Sequence, residues 1–197
     1  MPVPLELRTA RLLLRPWRDE DAPALLPVLE ANQAHLGPWI PARVATPVLL
    51  PALAERLAAF AADFAADREW RYGLFTPDGA TVVGEVDLLP RAASGRVAFA
   101  EADHVEIGYW LRRDRVGQGL ATEAAAAMLG VARTLPGLTH VEIRCDARNA
   151  ASAAVPRRLG FRLDRTVDAP GVAGDAAAPV ALQVWVRALG QRDETRD

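Results

Sequence analysis

The chain contains no lysine; all 23 of its basic residues are arginine. Beside abundant alanine, this reads as a GC-rich coding bias rather than a functional choice. It has one cysteine, Cys145, which excludes an internal disulfide and a disulfide-stapled secreted fold. Long apolar runs are missing too: none can span a bilayer, and no charged start with an apolar signal core occurs at Met1–Pro4. The expected location is therefore the cytoplasm, without a membrane partner. Neither sign of charge dominates, at a net −2, so nothing global argues for nucleic acid. Three scattered histidines and one cysteine form no metal-ligand spacing, and no metal is expected.

What is present fits one ordinary globular domain. With 51% hydrophobic and 24% charged residues over 197 positions, the chain can bury a sizeable core. We expect a single domain over residues 1–189 and a flexible polar tail over 190–197. Arg11–Trp17 reads as a strand ending near Pro16. Asp19 or Asp21 can cap a helix through Asn32 with Leu25, Leu26, Val28 and Leu29 as its stripe. His35–Val48 reads as irregular, and Pro51–Arg68 has helical spacing at Leu53, Leu57, Phe60 and Phe64.

Strands are expected at Trp70–Thr76, Thr81–Leu89 and Val97–Arg112, the last broken near Ala102–Asp103. A helix over Ala121–Arg133 stops at Pro136–Gly137. A strand at His140–Asp146, a short helix from Ala150 to Leu159 closed by Gly160, and strands at Phe161–Val167 and Val180–Leu189 complete the order. Asp168–Pro179, rich in Gly, Ala and Pro, reads as a mobile hairpin loop. The class is mixed α/β, with one strand–helix–strand crossover over Val105–Val141.

The informative segment is Arg115-Val116-Gly117-Gln118-Gly119-Leu120-Ala121-Thr122-Glu123-Ala124. Two glycines at a strand-to-helix turn let backbone approach a ligand, because no Cβ intervenes. The first N–H groups of the helix have no helical acceptor, and the helix dipole favours negative charge there. This is a pyrophosphate cradle and implies a phosphate-bearing cofactor.

Together with Val105-Glu106-Ile107-Gly108-Tyr109-Trp110-Leu111 and with Asn149-Ala150-Ala151-Ser152 leading to Leu159-Gly160-Phe161, this turn resembles the Gcn5-related N-acetyltransferases (GNAT). The spacing from Gln118 to Ala124, the opening Leu7–Leu12 and the Pro38–Trp39 loop are most similar to the RimJ/RimL branch that acetylates ribosomal-protein N-termini. The resemblance covers Leu5 to Leu189. It implies a twisted mixed sheet of about seven strands, splayed at its centre between Leu111 and His140, with helices on both faces. It also implies acetyl-CoA (coenzyme A) in that gap. The pantetheine would pair with backbone near Tyr109 to Arg112, including Trp110 and Leu111, and the pyrophosphate would take N–H groups from Gly117, Gln118, Gly119, Leu120, Ala121 and Thr122. Asn149 and Ser152 would contact the cofactor, and Arg115 would add positive charge.

Two departures stand out. Asp114 occupies the position, three before Gly117, where the family usually has Gln or Arg. Pro156 occupies the position, four before Gly160, where many members place a proton-donating tyrosine. That role has no residue here, and the proline should make the short helix start later or bend.

Acetyl transfer to an amine needs a neutral amine, a polarised thioester carbonyl, donors for the oxyanion and a donor near the departing thiolate. Glu106 is the candidate base, acting through water; a carboxylate among apolar neighbours has a raised pKa. A salt-bridged strand residue is the competing reading, and His104 or water the competing base. Glu85 and Asp87 can anchor a cationic substrate, or simply pair with arginine. Trp39 is a candidate for the substrate groove. Asn149 suits both an N-cap and the pantetheine amides. Ser152 can donate to the sulfur, but a serine hydroxyl is too weak an acid to be a proton source. Cys145 lacks a neighbouring base and reads as structural.

The leading expectation is an acetyl-CoA-dependent N-acetyltransferase moving an acetyl group directly to a primary amine in a ternary complex. The amine would be a protein N-terminus or a small molecule, the enzyme a monomer or homodimer. Its alternative is an acyl-CoA-binding sensor with little or no catalysis, suggested by Asp114 and Pro156. A Rossmann-type nucleotide domain is the weakest alternative, since the glycine turn comes late and no alternating βαβ run surrounds it.

Overall fold

The computed structural model describes residues 3–170 and 179–190. The expected loop over Asp168–Pro179 falls largely, and the expected tail almost wholly, outside the described residues. In chain order the elements are β1 (Leu7–Arg8), β2 (Leu13–Pro16), α1 (Ala22–Leu36), α2 (Ala42–Ala45), α3 (Leu50–Ala65), β3 (Trp70–Phe75), β4 (Val82–Ala92), β5 (Gly95–Arg96) and β6 (His104–Leu111). Then come α4 (Leu120–Ala132), β7 (His140–Asp146), α5 (Ala150–Arg158), β8 (Arg162–Pro170) and β9 (Pro179–Ala188).

The strands form one sheet in the order β1-β2-β3-β4-β6-β7-β9-β8, with β5 on β4. Among the described residues there are nine strands rather than seven. The two added ones, β1 and β5, have two residues each, too few for alternation to register. The element α2 was likewise hidden, since four residues hold barely one helical turn.

Every pairing is antiparallel except β6 with β7. That parallel ladder has three register pairs: His104↔His140, Val105↔Val141 and Glu106↔Glu142. Beyond Glu106 the two strands have no register with each other, while β4 stays with β6 to Leu111 and β9 stays with β7 to Asp146. The sheet is therefore open at its centre, as expected.

Two cores flank the sheet. On one face, α4 lays Leu120, Ala124, Ala125 and Met128 on Val86, Leu88, Val105 and Ile107. On the other, the α3 stripe Leu53, Leu57 and Phe60 meets Trp17, Leu25, Leu29, Phe75 and Trp110. Ile107 and Leu111 lie in the first core and Trp110 in the second, so the alternation of β6 reads through to its packing.

Four local expectations need correction. The strand expected over Val97–Arg112 begins only at His104 and ends at Leu111. Helix α1 runs past Asn32 to Leu36, and Asp21 stands at its N-cap, but its carboxylate makes no capping bond and instead holds the Arg15 guanidinium at 2.7 Å and the Arg18 N–H at 2.9 Å. Strand β4 continues beyond Leu89 through Pro90 to Ala92. Helix α5 starts at Ala150 and runs to Arg158 despite Pro156, its seventh residue. No helix among the described residues is long and apolar enough to cross a membrane.

Gly84 of β4 lets this strand nest against the end of β6. A methyl group there would overlap the carbonyl oxygen of Trp110 and come within 2.9 Å of the Leu111 Cα. Backbone cannot be relieved by a rotamer change. Gly84→Ala should therefore destabilise the protein by about 1–3 kcal/mol, the usual cost of overpacking. Urea denaturation checks this, with an unchanged midpoint as the contrary result.

Candidate active site

The gap between β6 and β7 opens into a cavity of about 920 Å3. One end is the glycine turn. Gly117 has φ +75° and Gly119 φ +80°, a left-handed conformation that favours glycine. A Cβ on Gly117 would meet no protein atom within 4 Å; one on Gly119 would meet only Arg11 Nη2, at 3.6 Å. The glycines thus serve the bend and the open space above it rather than packing. Helix α4 begins at Leu120, and no side chain caps it. Its first intrahelical donor is Glu123, to the Gly119 carbonyl, so the N–H groups of Leu120, Ala121 and Thr122 precede the helical ladder. This cradle suits a diphosphate.

The turn is braced from two sides. Arg11 Nη1 donates to the Gln118 carbonyl at 2.8 Å, while Glu123 accepts from the Thr9 hydroxyl, the Arg11 N–H and Arg11 Nε at 2.6–2.9 Å. Glu123 is held below the usual carboxylate range, its partial burial outweighed by these donors. Buried Asn32 of α1 accepts the Arg113 N–H at 2.8 Å. Asp114 does not face a phosphate unopposed, since Arg112 grips its carboxylate with two bonds of 3.0 Å.

Of the expected cofactor contacts, Trp110, Leu111, Gly117, Gly119 and Leu120 line the cavity. So do Ala121, Thr122, Asn149 and Ser152. Arg112, Arg115 and Gln118 do not, and the Gln118 amide instead donates to the Asp114 carbonyl at 3.1 Å. Asn149 is the N-cap of α5: its side-chain oxygen accepts the Ser152 N–H at 3.0 Å. The substrate-side candidates Trp39, Glu85 and Asp87 also line the cavity.

Glu106 lies in the cavity wall with its side chain 12% exposed. Arg91 Nε stands 2.5 Å from it and Arg144 Nε 3.7 Å. Burial pushes its carboxyl above the usual range, with Arg91 and Arg144 opposing. His104 lies outside the cavity lining, stacked on His140 at 4.5 Å and against Asp103. The ligand atoms of His104, His140 and Glu142 fall within 4.8 Å of one another. The two rings are only 10° from parallel, however, and one ion cannot lie in the planes of two stacked imidazoles. Glu142 is moreover held by Arg144 and Arg165.

Glu85 and Asp87 are not open anions. Buried Arg71 binds both through Nη1 at 2.8 Å, the Trp17 indole donates to Glu85 at 2.7 Å, and the Gly108 N–H donates to Asp87 at 2.9 Å. Arg71 also reaches Glu69, which Arg43 clamps at 3.0–3.1 Å. The sequence reading missed Arg71, although a charge inside the apolar run Trp70–Phe75 is a visible signal. It also missed Arg91 and the side-chain role of Tyr109, whose hydroxyl donates to the Ser152 carbonyl at 2.9 Å. Cys145 is buried in the cavity wall, and burial pushes its thiol up, disfavouring the thiolate.

The split sheet and the glycine-turned helix thus bring Glu106 and Ser152 to one cavity. The family model for the acetyltransferase (GNAT) domain matches residues 11–162, and the chain belongs to this family: it is an acetyl-CoA-dependent acetyltransferase. Its fold is similar to RimL, a ribosomal L7/L12 alpha-N-protein acetyltransferase solved with coenzyme A, at TM-score 0.76 and 20% identity over 95% of this chain and 97% of that one. It is similar to RimJ of Mycobacterium smegmatis, solved with CoA-disulfide, at TM-score 0.73 and 26% identity over 89% and 81%. The microcin self-immunity acetyltransferase MccE, solved with acetyl-CoA and AMP, gives TM-score 0.73 and 15% identity over 91% and 93%. No curated protein matches the chain by sequence.

The arginine clamp predicts a pH effect. Burial alone would raise Glu69, but hydrogen bonds from Arg43 and Arg71 bring it down from 4.5 to about 2. A depressed carboxyl contributes stability above its unfolded pKa and loses it as pH falls through its folded one. Wild-type stability should thus fall as pH drops from 4.5 to about 2, and Glu69→Gln should flatten that part of the profile. Thermal melts across the range check it; parallel wild-type and variant profiles would contradict it.

Proposed function

We propose that the protein acetylates the α-amine of a protein or peptide N-terminus by direct transfer within a ternary complex. The observation that carries this reading is the juxtaposition in one cavity of the glycine cradle, the unpaired β6 edge beyond Glu106, Glu106 itself and Ser152. The thioester of acetyl-CoA supplies an activated acetyl group. The N–H groups at the start of α4, from Leu120 to Thr122, hold its diphosphate, together with the backbone of Gly117 and Gly119. The β6 edge from Ile107 to Leu111 has no strand partner on the β7 side and pairs with the extended pantetheine as an added strand would.

Glu106 takes a proton from the substrate ammonium through water, its raised carboxyl suited to the task, and the neutral amine so formed attacks the thioester carbonyl; as the C–N bond forms and the C–S bond breaks, the nitrogen's surplus proton passes through water to the departing thiolate. Arg91 and Arg144 hold it in place. Ser152 donates to the departing sulfur. Its position in the first turn of α5 is set by the Asn149 cap. Asp87 already occupies the Gly108 N–H, so that group is not among the oxyanion donors.

The acceptor side favours an α-amine over a polycation. A polyamine needs open carboxylates, and Glu85, Asp87 and Glu69 are all engaged by arginine. Trp39, Ile40, Pro41 and Val44 give the cavity an apolar wall, which suits side chains near a peptide N-terminus. The likeness to RimL and RimJ supports the same substrate class. Of the two supports for the sensor alternative, Asp114 is neutralised by Arg112, while beside the Pro156 position Ser152 is the hydroxyl left to donate to the sulfur.

The test is mass spectrometry of short peptides with varied N-termini, and of small amines, incubated with the protein and acetyl-CoA. Addition of one acetyl mass to peptide α-amines is expected, and acetylation of small amines alone would overturn the substrate assignment. Gly119→Glu should abolish acetyl-CoA binding in calorimetry, since it places a charged side chain in the cradle. Undiminished affinity would remove the cradle from the reading. Glu106→Gln should depress turnover at neutral pH and less at high pH, where amines are already deprotonated. A loss independent of pH would make Glu106 an anchor instead of a base.

A further inference from the structure

Pro156 is the seventh residue of α5. Proline has no N–H, so the carbonyl four residues earlier, that of Ser152, loses its helical donor, and the ring crowds that carbonyl outward. A carbonyl left unmade in a buried setting is expensive. Ser152 nevertheless has a donor: the Tyr109 hydroxyl, at 2.9 Å. The Ser152 hydroxyl in turn donates to the same phenol oxygen at 3.3 Å. Tyr109 belongs to β6, and Ser152 lies just after β7. One phenol therefore reaches from one parted strand toward the other and holds both oxygens of a single residue.

We propose that Tyr109 is a positioning residue that replaces the helical donor Pro156 cannot supply, and so sets where the Ser152 hydroxyl stands in the cavity. The functional half of this statement rests on the donor role given to Ser152 above. Burial pushes the Tyr109 phenol above its ordinary value, so it remains a donor at the pH of amine acetylation. Rotation of the serine proton alone can redirect it from the phenol oxygen to a group in the cavity, with no heavy atom displaced. Asn149 fixes the same residue through its N–H. Ser152 is thus held at N–H, carbonyl and hydroxyl, by one side chain from each side of the gap.

The experiment is a double-mutant cycle on the full chain with Tyr109→Phe and Pro156→Ala, reading kcat and KM with acetyl-CoA and the best peptide of the library, and melting temperature. Alanine at 156 restores an N–H to the helix. Tyr109→Phe should lower kcat about tenfold while KM for acetyl-CoA moves less than about threefold. Pro156→Ala alone should stay near wild type, and the double variant should recover kcat to within about threefold of wild type, with a matching recovery in melting temperature.

If Tyr109→Phe fails to fold while the double variant folds, the coupling is upheld. A double variant no better than Tyr109→Phe, or both unfolded, overturns it. Ser152→Ala separates the two claims. If it lowers kcat and Tyr109→Phe does not, the positioning role is overturned. If Ser152→Ala is itself silent, or no peptide turns over, the role given to Ser152 above has failed. The melting temperatures then decide alone: non-additivity upholds replacement of the lost donor, and additivity overturns it.

Discussion

The constraint on which this protein depends is the brevity of one parallel ladder. Three register pairs join β6 to β7, and then each strand continues with its outer neighbour only. A sheet that stayed closed would satisfy more backbone, but it would leave no room for a ligand between its strands. The unpaired edges here face a cavity of about 920 Å3 and are available to an extended molecule. Both reactive candidates sit at this opening, Glu106 at the last paired register and Ser152 just beyond the end of β7.

An open sheet must be held open by something else, and the bracing is distributed. Arg11, from the chain between β1 and β2, grips both Glu123 and the Gln118 carbonyl. Asn32 of α1 holds the backbone just before the glycine turn. Tyr109 connects β6 to α5. None of these contacts is near in sequence, so the glycine turn is preorganised by parts of the chain that carry no phosphate-binding signal themselves.

Charge in the interior follows the same logic. Glu85 and Asp87 line the cavity beside Arg71, which touches both and also reaches Glu69. Unpaired carboxylates at this depth would be very costly. Paired, they define a rigid polar floor that rejects added positive charge. Glu106 differs in that its pairing with Arg91 does not offset burial. Two acids therefore meet different electrostatic fates: Glu69 is clamped as an anion and Glu106 is left able to take a proton.

Much of this was legible in the chain alone. The glycine turn, the alternation of β6 and the Leu53-Leu57-Phe60-Phe64 stripe are local patterns, in which spacing dictates which face each residue occupies. They carried the mixed α/β class, the central crossover and the cradle, while the candidate role of Ser152 came from the resemblance to the family. Two-residue strands and a four-residue helix carry no such periodicity, so β1, β5 and α2 emerged only on folding. The partners of Glu85 and Asp87 needed the register that sets Arg71 opposite Asp87. The consequence of Pro156 could not be read from its own helix, because the phenol that compensates it lies 43 residues from Ser152 in sequence. Local sequence sets the period and the turn; which distant side chain satisfies a given carbonyl or carboxylate is decided only when the sheet brings them within hydrogen-bond reach.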